Sequence, residues 1–283
     1  MSRKACVGIR VAYPRWESDM KAKDIAKVFE EIAPVSTGLP GDLQGRVLGF
    51  RFGDPDIDVT GVGVAWLPSI EVIQQAVEQD LNFIIAHEPG VFIRNDSSYW
   101  HSALMPETNP ANLRRKKLLL EHNICVYTAH SNWDLQPDVG MLPTIAKAFG
   151  LTDEISRDIA VGIYAVAEMT FGDLIAQVKK ATGINLLRVW GDRGRPVRKV
   201  GLGFGGMGGV VDSLVINGVD AGILGAVNEF DFMHARENDV PVIEATHLVT
   251  ESIGFRSVVT ELNKRLPGLR IQFLEVPFSY ELA

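Results

Sequence analysis

The chain has 283 residues, 46% hydrophobic and 22% charged, proportions that exclude intrinsic disorder, collagen-like repeats and disulfide scaffolds and suit one large or two modest domains. Its 28 basic and 35 acidic residues give a formal charge of −7, and the short Arg114-Arg115-Lys116-Lys117 run, followed by Leu118-Leu119-Leu120-Glu121, reads as the solvated face of an amphipathic helix; no nucleic-acid partner is expected. Only two cysteines occur, Cys6 and Cys125, so any metal must be held by nitrogen and oxygen rather than sulfur. The apolar stretch after Arg3 and Lys4 is cut by Arg10, too short for a secretion signal, and no apolar run approaches a membrane span. The expected setting is cytoplasmic, with no membrane partner.

From about Gly61 onward short apolar runs alternate with amphipathic stretches, the pattern of βαβ units with a mainly parallel sheet. Gly61 to Trp66 reads as a strand, and Pro68 to Gln79 as a helix with Ile70, Val72, Ile73 and Val77 on one face. Asn82 to Ala86 is a second strand, Leu113 to His122 a helix, and Ile124 to Thr128 a third strand. After Gly150 the stretch Leu151-Thr152-Asp153-Glu154 looks like a junction, dividing the chain into α/β domains at 1–150 and 151–283, the C-terminal segment able to return and pack on the first. In the second half, Thr170 caps a helix running to Thr182. Strands are expected at Asn185 to Trp190, Val197 to Leu202, Ala221 to Leu224 and Val240 to Ala245, then a helix from about His247 to Arg265 and a closing strand from Leu269 to Leu274.

Three of these strands end abruptly in residues able to bind metal: Phe83-Ile84-Ile85-Ala86 runs into His87-Glu88-Pro89, Val126-Tyr127-Thr128-Ala129 into His130-Ser131-Asn132-Trp133-Asp134, and Val242-Ile243-Glu244-Ala245 into Thr246-His247. Ligands of open parallel sheets bind beyond the carboxyl ends of the strands, so three such ends would gather His, Glu and Asp in one crevice. His247 and Glu251, four apart at the start of a helix, can share one face and chelate one ion. His101, His122 and His234 lack this context and read as structural or surface groups. Gly201-Leu202-Gly203-Phe204-Gly205-Gly206 matches the dinucleotide fingerprint G-x-G-x-x-G, but Asp220 precedes the next strand instead of closing it. Six glycines among positions 201 to 209 fit a tight strand-to-helix turn better.

In order and context, Asp58-Val59-Thr60-Gly61-Val62, Ile84-Ile85-Ala86-His87-Glu88-Pro89, Ala129-His130-Ser131-Asn132-Trp133-Asp134, Val189-Trp190-Gly191-Asp192 and His247-Leu248-Val249-Thr250-Glu251 resemble the NIF-three-like family, whose bacterial members are often labelled GTP cyclohydrolase I type 2 homologues. The resemblance implies an α/β fold of two similar three-layer units with mainly parallel or mixed sheets, a dinuclear metal site in the crevice between them, and a ring-shaped homo-hexamer. Carried over by position, His87, Asp134, His247 and Glu251 match metal ligands. Two departures stand out: Glu88 replaces the second of two adjacent histidines, and Trp133 replaces a leucine, which should alter the pocket wall.

These features lead to the expectation of a divalent-metal-dependent hydrolase acting on a small molecule of the nucleotide or purine-like class, with one or two ions (zinc, manganese, iron or magnesium) per chain. His87 and Asp134 would hold one ion, Glu88 and His247 the other, and Glu251 would bridge them, with His130 as a proton shuttle because a free imidazole titrates near neutral pH. The alternative is a ring-forming metal-binding scaffold or regulatory interaction protein without catalysis.

Overall fold

Runs of four consecutive fully buried apolar or small residues, as in Val62–Ala65, Phe83–Ala86 and Cys125–Thr128, demand strands covered on both faces, and a parallel sheet between helices meets that demand. The computed structural model describes residues 20–44, 47–89, 109–159, 161–206 and 208–278. In the first unit the chain runs through α1 (Ala22–Ile32), α2 (Pro40–Gln44), β1 (Gly49–Phe52), β2 (Val62–Ala65), α3 (Ile70–Glu78), β3 (Phe83–Ala86), α4 (Pro110–Glu121), β4 (Cys125–Thr128), α5 (Ser131–Asp134) and α6 (Met141–Ala148). The second unit comprises β5 (Asp153–Arg157), β6 (Val161–Thr170), α7 (Phe171–Thr182), β7 (Arg188–Trp190), β8 (Pro196–Gly203), α8 (Val210–Ile216), β9 (Ala221–Leu224), α9 (Glu229–Glu237) and β10 (Val242–Glu244), after which α10 (His247–Phe255), α11 (Ser257–Arg265) and β11 (Ile271–Leu274) follow.

The result is an α/β protein of two sheets. The first, ordered β1-β4-β3-β2-β11, is parallel except for the edge strand β1. The second, ordered β5-β6-β8-β9-β10-β7, is mixed: β8, β9 and β10 run parallel, and the flanking strands pair antiparallel. β11 leaves the second unit and adds to β2 of the first, Ile271 opposite Val62 and Leu274 opposite Ala65. One apolar core continues across both units, with Trp133 stacked on Phe29 at 5.4 Å and set edge-on to Phe255 at 6.3 Å. Trp133 is therefore core and not pocket wall, since its side chain is fully buried.

Local chemistry accounts for several helix ends. Thr170 and Asp173 form a reciprocal capping box on α7, and Ser69 caps α3, which begins at Ile70 rather than at Pro68. The single helix expected from His247 to Arg265 breaks at Arg256 into α10 and α11. Arg114, Lys116 and Lys117 of the basic run are exposed on α4, while Arg115 lies half-buried with a hydrogen bond to Asn112 at 2.7 Å. Among the described residues no helix is long and apolar enough to cross a membrane. Cys6 and His101 lie outside the described residues; Cys125 is buried, and burial pushes its thiol up to about 12, leaving it inert.

Candidate metal centre

Register sets the site. Ala65, Ala86 and Thr128 stand side by side at the carboxyl ends of β2, β3 and β4, so Trp66, His87 and Ala129 emerge level with one another. The ladder runs one step further: the His87 N–H donates to the Ala65 carbonyl at 3.0 Å, that of Glu88 to Trp66 at 2.7 Å, and that of Ala129 to Ala86 at 2.8 Å. From the second sheet, the turn after β8 and the residues after β10 arrive at the same place. Ala245 N–H donates to the Leu224 carbonyl at 2.7 Å, and Thr246 follows at φ +64°, a conformation that a β-branched residue adopts only under constraint. Thr246 is held there as the cap of α10, accepting from the Val249 N–H at 3.3 Å, and this sharp entry turns His247 toward Glu88.

Two triads of ligand-type atoms result: His87, His130 and Asp134 form one, Glu88, His247 and Glu251 the other, the atoms of each within 4.8 Å of one another. All five residues expected to bind metal, and His130 with them, are thereby brought together. Glu88 is buried and faces inward, its Oε1 3.4 Å from His247 Nε2. Glu251 joins the triads, because its Oε2 lies 2.8 Å from His247 Nε2 and 3.3 Å from His87 Nε2. Its other oxygen rests against Gly205, where a Cβ would come within 2.3 Å of Oε1 and where φ is +63°. The glycine-rich turn is thus a close-packed cradle for Glu251, fastened by the Gly205 N–H donating to Thr250 Oγ1 at 3.3 Å. Gly201 and Gly222 serve a related purpose, each pressed against Leu214 of α8.

The His87 ring is fully buried and donates from Nδ1 to the Ala129 carbonyl at 3.1 Å, a bond that leaves Nε2 as the free ligand atom. Although Glu251 Oε2 is 3.3 Å away, Nε2 makes no well-oriented hydrogen bond, and neither does the buried Asp134 Oδ1 3.8 Å from the opposite ring nitrogen. Two buried polar atoms without hydrogen-bond partners beside this set of imidazole and carboxylate donors fit a site for a divalent ion.

His130 differs from the expected free imidazole. Its Nδ1 pairs with Asp42 Oδ2 at 2.7 Å, its ring stacks on His87 at 4.8 Å, and Asp42 is further bound by the Ser131 N–H at 3.1 Å and by the Ser131 hydroxyl. Burial alone would lower the His130 pKa; the hydrogen bond that it donates to Asp42 and the carboxylates of Asp134, Glu88 and Asp42 raise it to about 10. His247 likewise rises to about 10 against burial, held by Glu251 and Glu88. Burial lifts Asp134 to about 6, whereas Glu251, despite burial, is pulled below the usual carboxylate range by His87 and His247. Asp42 gave no sequence signal, lying 88 residues before the histidine it orients. Trp66 had one, since it stands at a fourth strand end in the same row; its indole N–H donates to Glu251 Oε2 at 2.6 Å. His122 caps the end of α4, and His234 pairs at the surface with Asp212 at 2.8 Å.

The raised His130 pKa fixes the sign of a pH effect. In chelator-treated protein the Asp42–His130 pair contributes its full stability below the unfolded histidine value of about 6.5 and loses it as pH rises through about 10. Denaturant midpoints measured from pH 6 to 10 should fall more steeply for wild type than for Asp42→Asn; parallel profiles would contradict the pairing.

The chain matches the family model Duf34/NIF3 (NGG1p interacting factor 3) over residues 20–279. A protein of Pseudomonas aeruginosa named GTP cyclohydrolase 1 type 2 homolog is 29% identical over 214 residues, 73% of this chain and 79% of the relative. One of the same name from Clostridium acetobutylicum is 27% identical over 261 residues, 88% and 90% of the two chains. Among solved structures, a Bacillus cereus protein related to NIF3 superposes with a TM-score of 0.79 at 16% identity, covering 94% of this chain and all of that one. A Staphylococcus aureus protein gives 0.78 at 21% identity, covering 93% and 100%. Those two likenesses speak for the fold alone; the match to the family model across residues 20–279 shows that this chain is a member of the Duf34/NIF3 family.

Proposed function

We propose that this chain is a divalent-metal-dependent hydrolase with a two-ion centre, acting on a small molecule of the nucleotide or purine-like class. The observation that carries the reading is Glu251, one buried carboxylate within 3.3 Å of a histidine nitrogen in each triad. His87, His130 and Asp134 would hold one ion and Glu88 and His247 the second, with Glu251 shared. The first set, with two imidazoles, suits zinc or iron; the second, richer in carboxylate oxygen because Glu88 and Glu251 both belong to it, gives manganese or magnesium a better footing. A two-ion centre of this kind lowers the pKa of bound water toward about 7 and polarises the group under attack.

The residues around the triads favour an open, catalytic arrangement over a closed, structural one. His247 keeps 28% of its side chain exposed and lines a cleft of about 580 Å³ with Trp66, Leu67, Leu248, Val276 and Phe278. Such a mainly apolar slot can seat a flat ring beside His247, the one residue of the triads that lines it. His130, tied to Asp42 and stacked on His87, is better placed to hold an ion than to shuttle protons. The name carried by the relatives, GTP cyclohydrolase 1 type 2 homolog, supports the substrate class.

Metal analysis separates the roles. Glu251→Ala should lose both ions, His130→Ala only the ion of its own triad, and the loaded wild type should hydrolyse at least one compound in a screen of nucleotides and related heterocycles. Equal metal losses in the two variants would contradict the shared role of Glu251, and a silent screen with full metal content would leave a metal-binding scaffold.

We also propose assembly into a homo-hexamer, supported by exposed large apolar side chains on two helices of the second unit, Ile216 on α8 and Phe230 and Met233 on α9. Light scattering should give a particle larger than a dimer; a monomer at micromolar concentration would remove the proposal.

A further inference from the structure

Glu88, His247 and Glu251 come from segments following two different sheets, yet all three touch one residue. Trp66 is the first residue beyond β2 and is half-buried. Its indole N–H donates to Glu251 Oε2 at 2.6 Å, its ring meets the His247 ring edge-on at 5.4 Å, and its carbonyl accepts the Glu88 N–H at 2.7 Å. The outer side of the same indole helps to line the cleft.

We propose that Trp66 is the positioning residue of the Glu88–His247–Glu251 triad, setting the rotation of the Glu251 carboxylate before any ion arrives. The terminal torsion of a glutamate is soft and nearly two-fold, so an unrestrained carboxylate presents either oxygen in many orientations. Here one oxygen is fixed by a short, charge-assisted bond from a rigid ring, and the other is confined by Gly205, where no side chain fits. The ion that binds Glu251 therefore meets a carboxylate with no rotation left to lose. Because Trp66 also walls the cleft, a molecule lodged there presses on the group that orients a metal ligand. This inference rests on the metal reading of the triads and adds to it a residue that would itself bind no metal.

Trp66→Phe keeps the ring and the backbone carbonyl and removes only the N–H donor. Zinc alone is titrated into the chelator-stripped full chain, followed by calorimetry and by the indole N–H resonance of Trp66, assigned from its loss in the variant. The resonance should move as zinc binds, and Trp66→Phe should weaken the binding of one ion by about 10- to 100-fold, the usual effect of removing a group that orients a ligand. A resonance unmoved through saturation, or affinities within about twofold of wild type at both ions, would overturn the proposal. If wild type takes up no zinc, the two-ion reading falls while the positioning role is still judged: Glu251→Gln must shift the same resonance, and an unmoved one rejects it.

Discussion

An ionised carboxylate buried at the meeting point of two sheets is the constraint on which the rest of this molecule depends. Removing such a group from water carries a penalty of several kcal/mol unless counter-charge and hydrogen bonds replace the water. Glu251 is 4% exposed and carries its charge, so the chain must surround it with cations and donors. His247 and His87 bring ring nitrogens to within 2.8 and 3.3 Å of it, Trp66 supplies a neutral donor, and Gly205 the space. The strained backbone of Thr246 belongs to the same account, since it brings His247 round to face the acid. Acids, imidazoles and buried atoms without hydrogen-bond partners meet at this one point, a set of donors that could hold a metal ion.

Neither unit could build this centre alone. The first sheet delivers His87 and Glu88 beyond β3 and His130 and Asp134 beyond β4, whereas His247 and Glu251 come from α10, which follows the last parallel strand of the second sheet. Two packing features keep the halves in register. Helix α10 approaches α6 so closely that a Cβ on Gly254 would lie 2.3 Å from Met141 Sδ, and β11 returns to pair with β2, the strand that leads into Trp66. Coupling the units by a helix contact and a shared strand makes the triads a property of the whole chain.

Much of this was legible in the residues. Continuous apolar runs at β2, β3 and β4 marked parallel strands, and abrupt polar ends at His87, His130 and His247 marked where ligands gather, because both patterns follow from local sequence. Helix α1 and strands β1, β5 and β6 were not foreseen, β5 because all five of its residues are exposed on an edge and show no buried face. The Asp42–His130 pair was invisible for a different reason: its partners are joined by tertiary packing, with no spacing rule linking α2 to the end of β4. Trp133 was expected in the pocket wall because the family resemblance puts a leucine at that position, whereas the turn of α5 directs it into the core against Phe29. The glycines from Gly201 onward resembled a phosphate-binding loop because close packing and phosphate cradling demand the same freedom of backbone.

The central claim is that Glu251 stands between two cations. Anomalous diffraction from crystals grown with manganese, recorded on both sides of its absorption edge, tests it most directly. The account predicts two peaks flanking the Glu251 carboxylate, one bounded by His87, His130 and Asp134 and the other by Glu88 and His247. A single peak away from Glu251, or no peak at saturating manganese, would contradict it.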